Sequence, residues 1–169
     1  KNIKSGEIIL IPVNENDELI FLSKTNLPSN YKLHAHGIYI KDNLLYILNH
    51  GYKYGGERLD IFLIDVEGKK AVFTKSFQFP NELYGITNVL IAIDDENFFV
   101  TSWNTYVHDE NGMNEFKFML SNLIQFVLQL QTTYVYHCSF STSLCKRLEN
   151  TSGMMNNGIT WNHDLINPI

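Results

Sequence analysis

The chain has 169 residues, 44% hydrophobic and 18% charged, enough for one domain with its own core. A net charge of -5 and the lack of a basic stripe exclude recognition of a phosphate backbone, so nucleic acid is not an expected partner. Cys138 and Cys145 are the only cysteines, which excludes a disulfide framework and a Cys-rich zinc site. They pair with each other or stay as free thiols, and the pattern leaves both open.

Aromatic residues make up 13% of the chain, with 11 Phe and 9 Tyr, a composition that favours strands. Residues 7–13 form a β-prone run, followed by the turn Asn14-Glu15-Asn16-Asp17 and a second run over 18–23. Residues 33–40 and 44–50 flank Lys41-Asp42-Asn43 and read as a hairpin with Ile40 opposite Leu44. That register brings His36 beside residues 48–50, so His36 and His50 are expected near one end of the same ribbon. Runs at 58–65 and 71–78 flank a third turn, Val66-Glu67-Gly68-Lys69, and runs at 88–93 and 98–103 flank a fourth, Asp94-Asp95-Glu96-Asn97. The turn centres recur about every 25 to 28 residues, so a full four-stranded unit takes about 50 residues, the size of a propeller blade. A β-sandwich is the competing all-β reading; the even spacing favours a β-propeller.

Residues 113–131 break this pattern. Phe116, Met119, Leu120, Leu123, Ile124, Val127 and Leu128 follow the i, i+3, i+4, i+7 rule of a helix, with Lys117, Ser121, Asn122, Gln125 and Gln129 as its polar side. The polar residues are too frequent for a bilayer span. The segment reads as a helix packed on the end of the sheet assembly, or as an amphipathic lid that covers a pocket mouth or touches a lipid surface. Residues 134–140 and 144–148 return to strand patterning, and Asn150-Thr151-Ser152 is a glycosylation sequon with meaning in a secreted protein.

Polar residues set inside or beside apolar runs are the candidate chemistry. His34, His36 and His50 could form a three-imidazole metal site, or sit as satisfied edge residues, since i and i+2 share a strand face. Asn88 and Asn157 each precede a strand-like run, and in a propeller such entrances converge on the central tunnel. Neutral carboxamide oxygens suit a hard cation such as calcium, which takes about six to eight oxygens. Both asparagines also read as turn residues, Asn157-Gly158 being a favoured turn pair.

The run His36-Gly37-Ile38, the strand pair ending in Asn49-His50, then Ile86-Thr87-Asn88-Val89-Leu90-Ile91-Ala92-Ile93 and Asn156-Asn157-Gly158-Ile159 resemble, in order and interval, the paraoxonase/arylesterase family. The resemblance spans residues 6 to 161. It implies a calcium-dependent lactonase or aryl esterase on a six-bladed β-propeller, of which this chain covers about three blades as a single partial domain over 1–169. It makes His36 the general base for the attacking water and His50 its relay partner. Asn88 and Asn157 become side-chain ligands of the catalytic calcium, and Ile38 reaches a second, structural calcium through its backbone carbonyl. Residues 113–131 then match a canopy helix that contacts lipid, and the location implied is extracellular or membrane-associated, with Asn150 as a glycosylation site.

The chain departs from the family pattern too. Val89 stands where the family has an aspartate for the structural calcium, and Ser102-Trp103-Asn104 replaces an Asn-Asp-His run. The family's acidic residues before the segment matching Gly6, and an Asp-Asn pair of later blades, have no counterpart. Neither cysteine matches those that tie the family's termini together. The chain opens on Lys1-Asn2-Ile3 without a visible signal peptide and closes on Ile166-Asn167-Pro168-Ile169. These features lead us to expect a partial or truncated chain, with 132–169 starting a further blade and with negligible calcium affinity alone.

Overall fold

The computed structural model describes residues 5–12, 14, 18–51, 56–107 and 114–160. The fold is mostly β. Among the described residues ten strands run β1 (Ile8–Leu10), β2 (Ile20–Thr25), β3 (Ala35–Lys41), β4 (Leu44–Gly51), β5 (Gly56–Asp65), β6 (Lys70–Gln78), β7 (Thr87–Ala92), β8 (Asn97–Ser102), β9 (Val135–Ser139) and β10 (Leu144–Arg147). One helix, α1 (Glu115–Val127), separates β8 from β9, and a 3-10 turn at Asn81–Leu83 precedes β7.

The strands form a six-stranded sheet in the order β1-β2-β6-β5-β4-β3 and a four-stranded sheet in the order β10-β9-β8-β7. All pairs are antiparallel except β2 with β6. The hairpin units group differently from the even pairing expected from the turn spacing. Strands β3 to β6 make one meander, and β7 and β8 are completed by β9 and β10 rather than by a neighbouring hairpin. Of the 132–169 segment expected to start a further blade, Val135–Ser139 and Leu144–Arg147 instead add to the second sheet, and 161–169 lie outside the described residues. The reason is an edge: β8 has a free side until β9 pairs along it from Asn97 to Thr101.

Period-two alternation explains the core. On β4 and β5, Tyr46, Leu48, Leu59 and Ile61 face the second sheet and pack with Leu90, Phe98, Val100 and Cys138. Leu45, Ile47 and Phe62 point to the other face and pack with Ile8, Leu22 and Leu33, because the first sheet curls and brings β1 and β2 over it. Central strands buried on both faces read as continuous apolar runs, as they do in this chain. Turn chemistry fixes the registers. Asp94 Oδ1 accepts from the backbone N–H groups of Glu96 and Asn97 at 2.8 and 2.7 Å, and these bonds hold its carboxyl below the ordinary carboxylate range.

The β3–β4 hairpin corrects the expected register. Lys41, not Ile40, faces Leu44, because Asp42 takes a left-handed φ of 55° and closes a two-residue turn. A bulge between Ala35 and Ile38 then restores the expected alignment at the far end, where Ala35 faces Asn49. Cys138 and Cys145 lie directly opposite on β9 and β10 and are disulfide-bonded.

The helix is shorter than the 113–131 pattern. Asn114 caps it by accepting from Lys117 N at 3.1 Å, and Gln129, with φ of 49°, lies beyond its end. Its docking face is the reverse of the usual one. Asn122 accepts from Asn104 Nδ2, Ser121 meets Thr105 at 3.0 Å, and Phe118 packs on Trp103. Gln125 is the buried residue of α1, whereas Phe116, Met119, Leu123, Phe126 and Val127 are exposed. Among the described residues no helix is long and apolar enough to cross a membrane.

Candidate functional site

The site forms where β3 of the first sheet packs on β7 of the second. Gly37 permits that approach: a Cβ there would collide with the Asn88 carbonyl oxygen, lying also 3.0 Å from Leu48 Cδ1. The bulge that contains Gly37 aims His36 at the head of β7. His36 Nε2 lies 2.6 Å from Asn88 Oδ1, and since that carbonyl can only accept, Nε2 carries the proton. Asn88 Nδ2 in turn donates to Asn157 Oδ1.

Asn157 is placed by the segment just before it. Gly153 and Thr133 form an isolated bridge, and Asn156 donates from its backbone to Thr133 Oγ1 and from its side chain to the carbonyls of Thr133 and Thr151. Asn88 is buried while His36 and Asn157 are exposed, so the cluster opens to solvent on one side.

His50 joins from β4. Its ring meets the His36 ring edge to face, with centroids 4.6 Å apart. Thus His36, His50, Asn88 and Asn157 form one connected set drawn from β3, β4, β7 and the 153–160 segment. Ile38 sits two residues beyond His36 on β3, the terminal strand of its sheet, with its side chain exposed. Val89 is half-buried, and its N–H donates to Thr101 Oγ1 at 3.2 Å. Asn150 is exposed in a turn with φ of 60°.

Behind the ribbon lies a second polar layer. Asp60, fully buried, accepts from Arg58 Nε at 2.9 Å, Tyr31 Oη at 2.7 Å, Asn49 Nδ2 at 2.7 Å and Ser76 Oγ at 2.8 Å. Asn49 Oδ1 also accepts from His34 N at 2.8 Å, so this network ties the approach to β3 onto the sheet just before His36. Burial first, then the negative Asp60 beside it, pushes the Tyr31 hydroxyl far above the ordinary tyrosine range. Burial, followed by the positive Lys32 and Arg58, holds the His34 imidazole below its ordinary value. Among the described residues no three His, Cys, Asp or Glu side chains are grouped to hold a metal.

Two members of the site escape a reading of motifs. Glu57, 1% exposed, stands directly across from His50 on β5, with Oε1 3.0 Å from His50 Nδ1. Thr87 Oγ1 donates to the same carboxylate oxygen at 2.7 Å. The available signal is strand parity: Glu57 shares a face with Leu59 and Ile61, and His50 shares one with Tyr46 and Leu48.

The donor set is compatible in kind with calcium. Asn88 and Asn157 bring neutral carboxamide oxygens, Asn88 Oδ1 accepting from His36 Nε2 and Asn157 Oδ1 from Asn88 Nδ2. Two carboxamides are a minority of the about six to eight oxygens that calcium takes. Compared with family models and with curated proteins, the chain matches none.

Proposed function

We propose that this protein hydrolyses lactones or aryl esters with calcium as its cofactor, on part of a six-bladed β-propeller of the paraoxonase/arylesterase type. The observation that carries the reading is the meeting of His36, His50, Asn88 and Asn157 in one contact set at the joint of two sheets. The packing of β3 on β7, the opening strands of two consecutive four-stranded meanders, supports the propeller, whose innermost strands line a shared axis.

Calcium, when bound, supplies Lewis acidity that polarises the ester carbonyl and stabilises the oxyanion. Asn88 and Asn157 would hold that ion through side-chain oxygens. The Ile38 carbonyl would serve a second ion that Val89 leaves short of a charged ligand. His36, whose Nε2 proton is engaged by Asn88, keeps Nδ1 to take a proton from water. Lactones and aryl esters are activated carbonyls, so a base and an electrophile suffice without a nucleophilic side chain. The absence of a Gly-x-Ser-x-Gly elbow from the sequence agrees with that route.

The test is hydrolysis of an aryl acetate and a simple lactone by the full-length protein, with and without chelator. Chelator-sensitive turnover that falls strongly in His36→Gln is expected. No turnover by folded, calcium-bound protein would favour a second reading, a non-catalytic extracellular propeller that binds a protein or a lipid surface. The outward apolar stripe of α1 and the loss of a carboxylate at Val89 favour that alternative. Either reading carries an extracellular or membrane-associated location, with the exposed Asn150 available for glycosylation.

A further inference from the structure

We propose that Glu57 is a positioning residue that sets the tautomer of His50 and so orders the imidazole pair; its catalytic consequence rests on the hydrolase reading. The geometry is local. His50 and Glu57 are opposite residues of the β4–β5 ladder, and the carboxylate oxygen lies 3.0 Å from Nδ1. Glu57 Oε1 already accepts from Thr87 Oγ1, and an oxygen in that role is an acceptor toward the imidazole too, so His50 Nδ1 carries the proton. In the neutral ring Nε2 then holds the lone pair.

Thr87 fixes the carboxylate from the other sheet. Its hydroxyl donates to the same Glu57 oxygen, and the next residue, Asn88, holds His36. Glu57 is thus anchored to the strand that carries the site, and a path of contacts runs from Thr87 to Glu57 to His50 to the His36 ring. Glu57 touches neither substrate nor ion in this scheme. It acts through His50, as outer carboxylates do when they orient an imidazole whose other nitrogen faces the chemistry. A purely structural reading, a buried acid that merely fills a strand position, does not require the proton on one chosen nitrogen.

Long-range proton–nitrogen NMR of histidine-labelled chain, at a pH where His50 is neutral, separates the two. In the unaltered chain His50 is expected as the Nδ1–H form. Glu57→Gln retains an acceptor oxygen and should retain that form, whereas Glu57→Leu should release it to the Nε2–H form. An Nε2–H ring in the unaltered chain overturns the proposal without any variant, and so does an unchanged tautomer in folded Glu57→Leu. In the ester assay on the full-length protein, Glu57→Leu should lower kcat on the order of 10–100-fold with KM held, and Glu57→Gln should recover part of it. An unchanged kcat in Glu57→Leu would remove the catalytic consequence. If the unaltered protein shows no hydrolysis, the hydrolase reading fails and the NMR result alone decides the role of Glu57.

Discussion

Gly37→Ala tests the joint on which the site depends. The added methyl would meet the Asn88 carbonyl oxygen, with Asn88 C at 3.2 Å and Leu48 Cδ1 at 3.0 Å. The Leu48 methyl can rotate away; the Asn88 backbone cannot. Restoring ordinary contact of about 3.5 Å requires β3 to retreat from β7 by about 1 Å. Overpacking of this kind costs about 1–3 kcal/mol. The same retreat carries the 2.6 Å contact of His36 with Asn88 beyond hydrogen-bonding range and costs about 1 kcal/mol more. Urea unfolding should therefore show stability lowered by about 2–4 kcal/mol at unchanged m, a drop in melting temperature of about 5–15 °C. In the ester assay a misplacement of about 1 Å is worth about 100-fold in rate. A Gly37→Ala chain that loses less than about 0.5 kcal/mol, with the His36 resonances unmoved, would refute the claim that glycine sets the spacing of the two sheets.

Asp60→Ala removes the carboxylate on which Arg58, Tyr31, Asn49 and Ser76 converge and should cost about 3–5 kcal/mol in denaturant unfolding; a loss below about 1 kcal/mol would show that the network is not needed to seat the approach to β3. Tyr31 keeps its proton in the folded chain past the pH at which the unfolded chain gives it up, so stability should fall as pH climbs above about 10. Tyr31→Phe should remove one proton's share of that slope, read from unfolding at pH 9 to 11, and an identical slope in both chains would contradict the assignment. Replacing Cys138 and Cys145 together by Ala opens a loop with a sequence separation of 7 and should cost about 2 kcal/mol, measured against the oxidised chain. Calorimetric titration of residues 1–169 should show negligible calcium binding, because two carboxamides supply a minority of the about six to eight oxygens required; micromolar affinity would overturn that ligand count.

Strand existence follows from alternation and turn chemistry, with β1 confined to Ile8–Leu10 of the 7–13 run and β2 displaced from 18–23 to Ile20–Thr25; the turn expected at 14–17 lies mostly outside the described residues. Pairing between units does not follow. Nothing local in residues 134–148 distinguishes completing the β7–β8 sheet from opening another, since both satisfy the same apolar pattern. The candidate site is legible as a set of polar residues inside or beside apolar runs, His36, His50, Asn88 and Asn157, which the structure brings into contact. Its supporting acid is not, because Glu57 opens a strand beside two glycines and carries no motif. Only its parity with Leu59 and Ile61 marks it as inward, and only the partner strand turns that into a contact with His50.

The helix shows where periodicity stops being informative. The pattern from Phe116 to Leu128 detects a helix correctly because side chains three and four apart share a face, whatever that face meets. Which face is covered depends on the docking partner, and here the 103–106 segment presents Trp103, Asn104 and Thr105. Two of these are polar and find their bonds on Asn122 and Ser121, so the polar side of α1 turns inward and Gln125 is buried with it. A helix held mainly by exchangeable polar contacts, with its apolar stripe in water, gains little from burial on this side. It is poised to gain more wherever that stripe meets an apolar surface. Which surface would cover that stripe is a matter of partner rather than of the helical period in the sequence.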